Sequence, residues 1–350
     1  LVMVSVEEAI RLVKTNLPNS TYELIYLSSA LNKVLSKDLI SKINMPPFHQ
    51  SSMDGYAVNL SADIKSYKLV GEIAAGGSAS EFDLKQGEAV RIFTGAKVPK
   101  GANAVIQQEL VYSKEKTIAF KETVPAGKNI RLKGEQTTIG QIAMNKGDRI
   151  TPAAIGFLAG LGITEVEVFK KPKLSILATG DELVSPGDLL PEGKIYESNT
   201  IMLSSAIKHS GYECVKSSTV EDTYDATKSA IEALLSSSDV ILISGGISVG
   251  DYDFVGHALK EIGVKEIFYK VKQKPGKPLF FGSYNDKLLF ALPGNPAAAL
   301  SCFYIYVLTA LEIMSGKSDG LEITQLKLIE EYSKKGGRSQ FLKAKIEGER

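Results

Sequence analysis

The sequence is short of the residues from which many nucleophile and metal sites are built. Its two cysteines, Cys214 and Cys302, stand far apart, which excludes a disulfide framework and a zinc-finger pattern. Both lie in apolar surroundings and read as buried free thiols of a cytoplasmic protein. The three histidines, His49, His209 and His257, occur in unrelated contexts, so a His-rich metal centre or a His-based triad is not expected. Neither sign of charge is in excess: 41 Lys and Arg against 40 Asp and Glu leave a net +1. That balance argues against a broad nucleic-acid surface, and any anion site must be built locally. No apolar run approaches the roughly 20 residues that cross a bilayer, so no membrane partner is expected. The start, "LVMVSVEEAI", lacks the basic and apolar regions of a signal peptide. Neither the Walker A pattern nor the dinucleotide GxGxxG is present, which weakens kinase and dehydrogenase readings.

What is present is ordinary globular material, 44% hydrophobic and 23% charged, in 350 residues, enough for two to four domains. Residues 5–16 have helical spacing, with Ser5 as N-cap and Glu8 completing a capping box. A second helix is expected over 28–39, ended by "MPPFHQ". From 46 to 140, short β-type runs ("YKLVGEIA", "AVRIFTG", "AVIQQELVY", "TIAFKETV") separated by Gly, Pro and Asn predict a small β-rich domain. Residues 150–166 predict a helix and then a strand that pack back on the N-terminal helices. The first domain would then be discontinuous, 1–45 with 141–172. From 173 to 316 strands and helices alternate, the pattern of a doubly wound parallel or mixed α/β sheet. The stretch 321–350 resembles the first strands of a C-terminal β domain, and it ends at "KIEGER" without closing one, so the sequence is expected to continue.

In an open α/β sheet ligands sit beyond the carboxyl ends of the strands. Three glycine-rich loops fall at such ends: "ATGDEL" (178–183), "SGGISVGDYD" (244–253) and "LPGNPAA" (292–298). Glycines such as Gly180, Gly245, Gly246, Gly250 and Gly294 let backbone N–H groups approach an oxyanion, and Thr179, Ser244 and Ser248 can add hydroxyls. Asp181, Glu182, Asp251 and Asp253 stand beside these loops and would repel a phosphate unless a hard cation, Mg²⁺, lies between; Asp181 and Asp251 are alternatively helix caps. "VKQKPGKPLFFG" (271–282) presents Lys274 and Lys277 across a proline-stiffened turn, point charges suited to an oxyanion. A second constellation gathers Asp54 in "SSMDGYAV", Thr94 in "RIFTG" and Arg131 in "GKNIRLKGEQ".

In this order, "SSMDGYAV", "RIFTGAKVPKGANAVI", "ATGDEL", "SGGISVGDYDF", "KPGKP" and "LPGNPAA" resemble the molybdopterin molybdenumtransferase family, MoeA-type and similar to the gephyrin E domain. The resemblance covers nearly the whole chain. It implies a homodimer with a molybdopterin-binding α/β domain, whose active site is completed by the partner's β-rich domain. The implied reaction inserts molybdate into adenylylated molybdopterin with Mg²⁺, releasing AMP. A molybdopterin adenylyltransferase would act upstream.

By the same resemblance Asp54, Thr94, Glu182, Asp253 and Lys274 are catalytic, and Asp181, Glu182, Asp251 and Asp253 hold the metal. Lys270 and Lys274 line the pocket. Lys274, Lys277 and Pro278 border molybdate. Pro293 and Pro296 frame the loop containing Gly294 and Asn295, and Arg131 is the basic residue of the second domain. Gln136, Glu221, Ala298 and Lys343 depart from the family pattern. Rival readings are a non-catalytic molybdopterin scaffold, a molybdopterin adenylyltransferase, and a nicotinamide-mononucleotide deamidase-like relative sharing only the α/β part.

Overall fold

The Ser5 hydroxyl accepts the Glu8 N–H at 3.1 Å and opens helix α1 (Val6–Thr15). The capping box is half formed: the Glu8 carboxylate takes Arg11 at 2.7 Å instead of reaching back to Ser5. The computed structural model describes residues 3–247, 254–317, 320, 323–334 and 336–348, which fall into two compact units. One comprises 1–25, 32–36 and 167–350; the other comprises 26–31 and 37–166. The expected 46–140 segment lies wholly in the second and 173–316 wholly in the first. The expected discontinuous domain is divided between them.

The helix expected over 28–39 is absent. A single 3-10 turn, Leu27–Ser29, is followed by Asn32 in the left-handed region (φ 62°). Beyond it the backbone is claimed by the segment at 167–169: Phe169 N–H donates to Val34 O at 2.9 Å and Ser36 N–H to Glu167 O at 3.1 Å. Val34 and Leu35 are buried as parts of an extended strap, so the apolar spacing that suggested a helix is met without one.

The second unit is built on a six-stranded sheet. Its strands are β1 (Gly55–Val58), β2 (Ser66–Ile73), β3 (Glu88–Ile92), β4 (Ala104–Gln107), β5 (Val111–Lys114) and β6 (Thr117–Phe120). The order is β4-β1-β3-β2-β6-β5, antiparallel except for β2 with β3. All four β-type runs are therefore strands. Tyr67, Ile73, Ile92, Ile106 and Ile118, each no more than 1% exposed, fill its two cores. Helix α2 (Pro152–Gly160) follows, with Thr151 as N-cap and Pro152 in its first turn, where a missing N–H costs nothing.

The first unit holds the expected α/β sheet. In chain order its elements are β7 (Lys173–Thr179), α3 (Asn199–His209), β8 (Glu213–Val220), α4 (Tyr224–Leu235), β9 (Val240–Ser244), α5 (Phe254–Ile262), β10 (Lys265–Tyr269), β11 (Phe280–Tyr284), β12 (Lys287–Leu292) and α6 (Pro296–Cys302). A π-helical turn (Phe303–Val307) joins α6 to α7 (Leu308–Met314). The order β8-β7-β9-β12-β11-β10 is parallel across the first four strands and antiparallel at the β11 and β10 edge, so the sheet is mixed. Its strands are apolar on both faces with strict period 2. Val240, Leu242, Leu288, Phe290 and Leu292 face one core, with α1, α3, α6 and α7. Ile241, Ile243, Leu289 and Ala291 face the other, with α4 and α5.

Two expectations are corrected here. The stretch Pro296–Met314 is, by length and composition, apolar enough to cross a bilayer, although 61% of that window is buried against the sheet. Of the C-terminal strands, only Ser339–Gln340 forms among the described residues, pairing parallel with Gln273–Lys274. Strand β11 was not foreseen, because "VKQKPGKPLFFG" (271–282) was read for the two lysines on its turn and not for the apolar run that follows them. Phe290 is fully buried and stacks on Phe281 at 4.6 Å. Phe290→Ala is expected to lower stability by about 3–5 kcal/mol, measured by urea unfolding followed by circular dichroism; an unchanged midpoint would contradict this packing.

Candidate active site

Parallel pairing sets Ala178 opposite Ser244, and Ser244 opposite Leu292. The three glycine loops therefore leave the sheet at one level from neighbouring strands, β7, β9 and β12. Gly245 (φ 90°) turns the chain so tightly that a Cβ there would lie 2.2 Å from Thr179 O. A Cβ on Gly294 would lie 4.0 Å from Gly245 Cα. Between the loops is a cavity of about 220 Å³, lined by Thr179, Glu182, Ser244, Gly245, Gly294 and Pro296. Its remaining wall is the segment that enters α3, including Tyr196, Glu197 and Asn199.

Those α3 residues were missed in the sequence. Asn199 Nδ2 donates to Ser244 Oγ and to Gly294 O, each at 2.8 Å, and so ties two glycine loops to the start of a helix. Since Gly294 O can only accept, the amide orientation is fixed. Glu197, 7% exposed, accepts the Thr200 N–H at 2.9 Å. The available signal was "YESN", buried-prone polar residues heading a helix and fed by a strand.

Several side chains expected to face a ligand are already engaged. The Thr179 hydroxyl donates to Asp222 Oδ1 at 2.9 Å, and the Asp222 N–H donates to Asp181 Oδ1 at 3.0 Å. Asp181 thus holds the loop that carries Asp222. Asn295 caps α6, accepting the Ala298 N–H at 3.1 Å. Gly180 and Gly246 lie in the turns themselves, and Pro293 is buried behind its loop. Lys270, in the left-handed region, sets its ammonium 4.9 Å over the Tyr269 ring. Lys274 and Lys277 are exposed on the Pro275–Gly276 turn with Pro278 half-buried behind them, and none of the four lines the cavity. Ser248, Gly250, Asp251 and Asp253 lie outside the described residues. Among the described residues no three of His, Cys, Asp and Glu form a group that could hold a metal ion.

The second constellation assembles within its own unit. Ser51 N–H donates to Ala96 O at 2.9 Å, Gly95 N–H to Ser51 O at 2.8 Å, and Ser52 N–H to Asn129 O at 3.0 Å. These bonds stitch the Asp54 turn to the Thr94 turn and to the strand carrying Arg131. Asp54 Oδ1 accepts both the Thr94 N–H and the Thr94 hydroxyl at 2.8 Å. The N–H first, then the hydroxyl and the nearby Arg91 charge, hold the Asp54 carboxyl below its ordinary value. Arg91, also missed, lies 4.9 Å over the Tyr56 ring. Arg131 is paired with Glu135 at 2.6 Å.

An α/β sheet whose three glycine loops close on one cavity, carried in one chain with a separate β-rich unit, defines a class of α/β protein with a ligand-sized hollow at its strand ends. Residues 4–162 match the family model of the MoeA N-terminal region (domain I and II), and residues 175–313 match a probable molybdopterin binding domain. The chain is 32% identical to the molybdopterin molybdenumtransferase of Staphylococcus aureus, over 98% of this chain and 83% of that protein. It is 36% identical to that of Haemophilus influenzae, over 90% and 78%. A crystal structure of a molybdopterin biosynthesis moeA protein from Pyrococcus horikoshii superposes with a TM-score of 0.78 at 32% identity, covering 90% of this chain and 81% of that one. The chain belongs to the molybdopterin molybdenumtransferase family.

Two outcomes test this geometry. Gly245→Ala is expected to cost about 1–3 kcal/mol, read by thermal melting, because alanine resists positive φ and its methyl meets Thr179 O; a neutral effect would contradict the turn. In Thr94→Val the Asp54 carboxyl is expected to titrate closer to its ordinary value, followed by carbon NMR. A depressed carboxyl stabilises above its unfolded pKa, and that contribution is lost as pH falls through the folded value. In the variant, which keeps the Thr94 N–H, protonation of Asp54 therefore sets in at higher pH, and an unmoved titration would show that the Thr94 hydroxyl contributes nothing.

Proposed function

We propose that this chain transfers molybdenum to molybdopterin, taking molybdate and adenylylated molybdopterin and releasing AMP and molybdenum cofactor. Family membership supports the reaction class. The observation that carries the proposal is the single cavity enclosed by the 178–183, 244–247 and 292–298 segments. There the Gly245 and Gly294 backbones can come close to the oxygens of a pterin nucleotide, while Asn199 keeps the two loops in register.

Cleavage of the adenylate breaks a phosphoanhydride bond. It requires placing the nucleophile in line and stabilising the charge that develops on phosphate oxygens, more than it requires a strong base. Lys274 and Lys277 supply positive charge for molybdate, a dianion. Two described carboxylates, Glu182 and Glu197, lie on the cavity wall, and Glu182 is the one carried by a glycine loop. Mg²⁺ belongs to this reading as the ion that would neutralise acids and phosphates brought together. The described residues alone form no ligand set for it. We read the working enzyme as a homodimer in which the Asp54–Thr94 pair of one subunit serves the partner, with an adenylyltransferase supplying the pterin nucleotide.

The purified protein with molybdate, Mg²⁺ and adenylylated molybdopterin is expected to release AMP. Glu182→Gln is expected to slow that release by about 100-fold, equivalent to roughly 2.7 kcal/mol of barrier. Undiminished release would remove Glu182 from the reaction. Tight pterin binding with no AMP release from the parent protein would establish the scaffold reading instead.

A further inference from the structure

The long apolar helix does not run evenly. Between α6 and α7 the residues Phe303–Val307 form a π-helical turn, a feature that widens the helix and re-aims a side chain, often at functional sites. The side chain concerned is Tyr306, fully buried, whose hydroxyl donates to Gln273 Oε1. Gln273 is also fully buried, and its Nε2 donates to Gly276 O at 2.9 Å and to Cys302 Sγ at 3.4 Å. The turn above sits hard against this group: a Cβ on Gly276 would lie 2.7 Å from Cys302 Sγ and 2.8 Å from Gln273 Nε2. Burial pushes the Cys302 thiol up to about 12, so it acts here as a packed neutral group.

The same turn is held from its sides. Val271 N–H donates to Lys277 O at 3.0 Å, and Phe341 N–H donates to Lys274 O at 2.9 Å. Both lysine side chains project outward, exposed, and neither forms an ion pair among the described residues. Both lysines belong to one five-residue segment, so the shape of the turn sets where their two like charges stand relative to each other. A buried polar network is costly unless every member is satisfied, and Gln273 meets that condition on both its nitrogen and its oxygen. What such a network provides, beyond what apolar packing would, is one fixed geometry.

We propose that Gln273 and Tyr306 are positioning residues for an oxyanion site, holding the Gln273–Lys277 turn so that Lys274 and Lys277 together receive a tetrahedral dianion. In the reaction proposed above, on which this inference rests, that dianion is molybdate. The π-helical turn is then the device that brings the phenol to Gln273, at the start of the lysine turn. The network touches no substrate, and its influence passes only through the placement of two charges. Loosening it weakens molybdate binding and leaves the pterin nucleotide and the chemical step alone.

Tyr306→Phe removes one oxygen and keeps the buried ring. Half-saturating molybdate in the AMP-release assay is expected to rise about three- to tenfold, the usual scale for one buried hydrogen bond. KM for adenylylated molybdopterin, and kcat at saturating molybdate, are expected to stay within about twofold. In a Lys277→Gln background the Tyr306→Phe effect on molybdate is expected to shrink, because one of the charges being positioned is already gone. Calorimetric titration of the full chain with sodium molybdate alone should show the same weakening. That measurement still decides the matter if the parent protein releases no AMP, which separates failure of this inference from failure of the reaction. Gln273→Met should weaken molybdate further, and if it unfolds by circular dichroism the milder Tyr306→Phe decides. Unchanged molybdate affinity in folded Tyr306→Phe, an equal rise in both KM values, or a parent protein that does not bind molybdate would overturn the proposal.

Discussion

Everything at the candidate active site depends on the register of three parallel strands. Because Ala178, Ser244 and Leu292 stand side by side, the next residues of β7, β9 and β12 must all turn at the same rim. Backbones there come closer than side chains would permit, which is why Gly245 lies against Thr179 O. The register is in turn held by a sheet buried on both faces, where a slip of one residue would exchange the Val240–Leu242 face for the Ile241–Ile243 face. The level of the rim is therefore a consequence of the core, and Asn199 then ties two of its loops together.

The two units solve one local problem in the same way. At the end of β7, Thr179 donates to Asp222; beyond the end of β3, Thr94 donates to Asp54. In each case a threonine at or just past the end of a strand holds the carboxylate of a turn on another segment. Held by donors, a carboxylate points one way, which suits groups that must face a multiply charged ligand. Asn199 does the complementary work with its amide, binding Ser244 and Gly294 without adding charge.

Much of this was legible from residue pattern. The alternation from 173 to 316 named nearly every strand and helix of the sheet, because parallel strands are continuous apolar runs and their helices carry a 3.6 period. The glycine loops announced the cavity because few other reasons place Gly after three apolar strands. The helix over 28–39 failed because the chain at 32–36 finds its hydrogen-bond partners far along the sequence, at 167–169, and no local pattern records that. Asn199 and Glu197 escaped because their role comes from loops about 45 and 95 residues away (Asn199) or from a single backbone N–H (Glu197). The lysine turn was recognised as a charge site, but its buried support by Gln273 and Tyr306 joins residues 33 positions apart through a helical irregularity that composition does not signal.

The central claim is that the three glycine loops bind one ligand together. Hydrogen–deuterium exchange of the full chain, with and without adenylylated molybdopterin, tests it most directly. Simultaneous protection of the backbone amides at 179–183, 244–247 and 294–298 is the result required. Protection confined to one of these segments, or appearing only elsewhere on the chain, would contradict it.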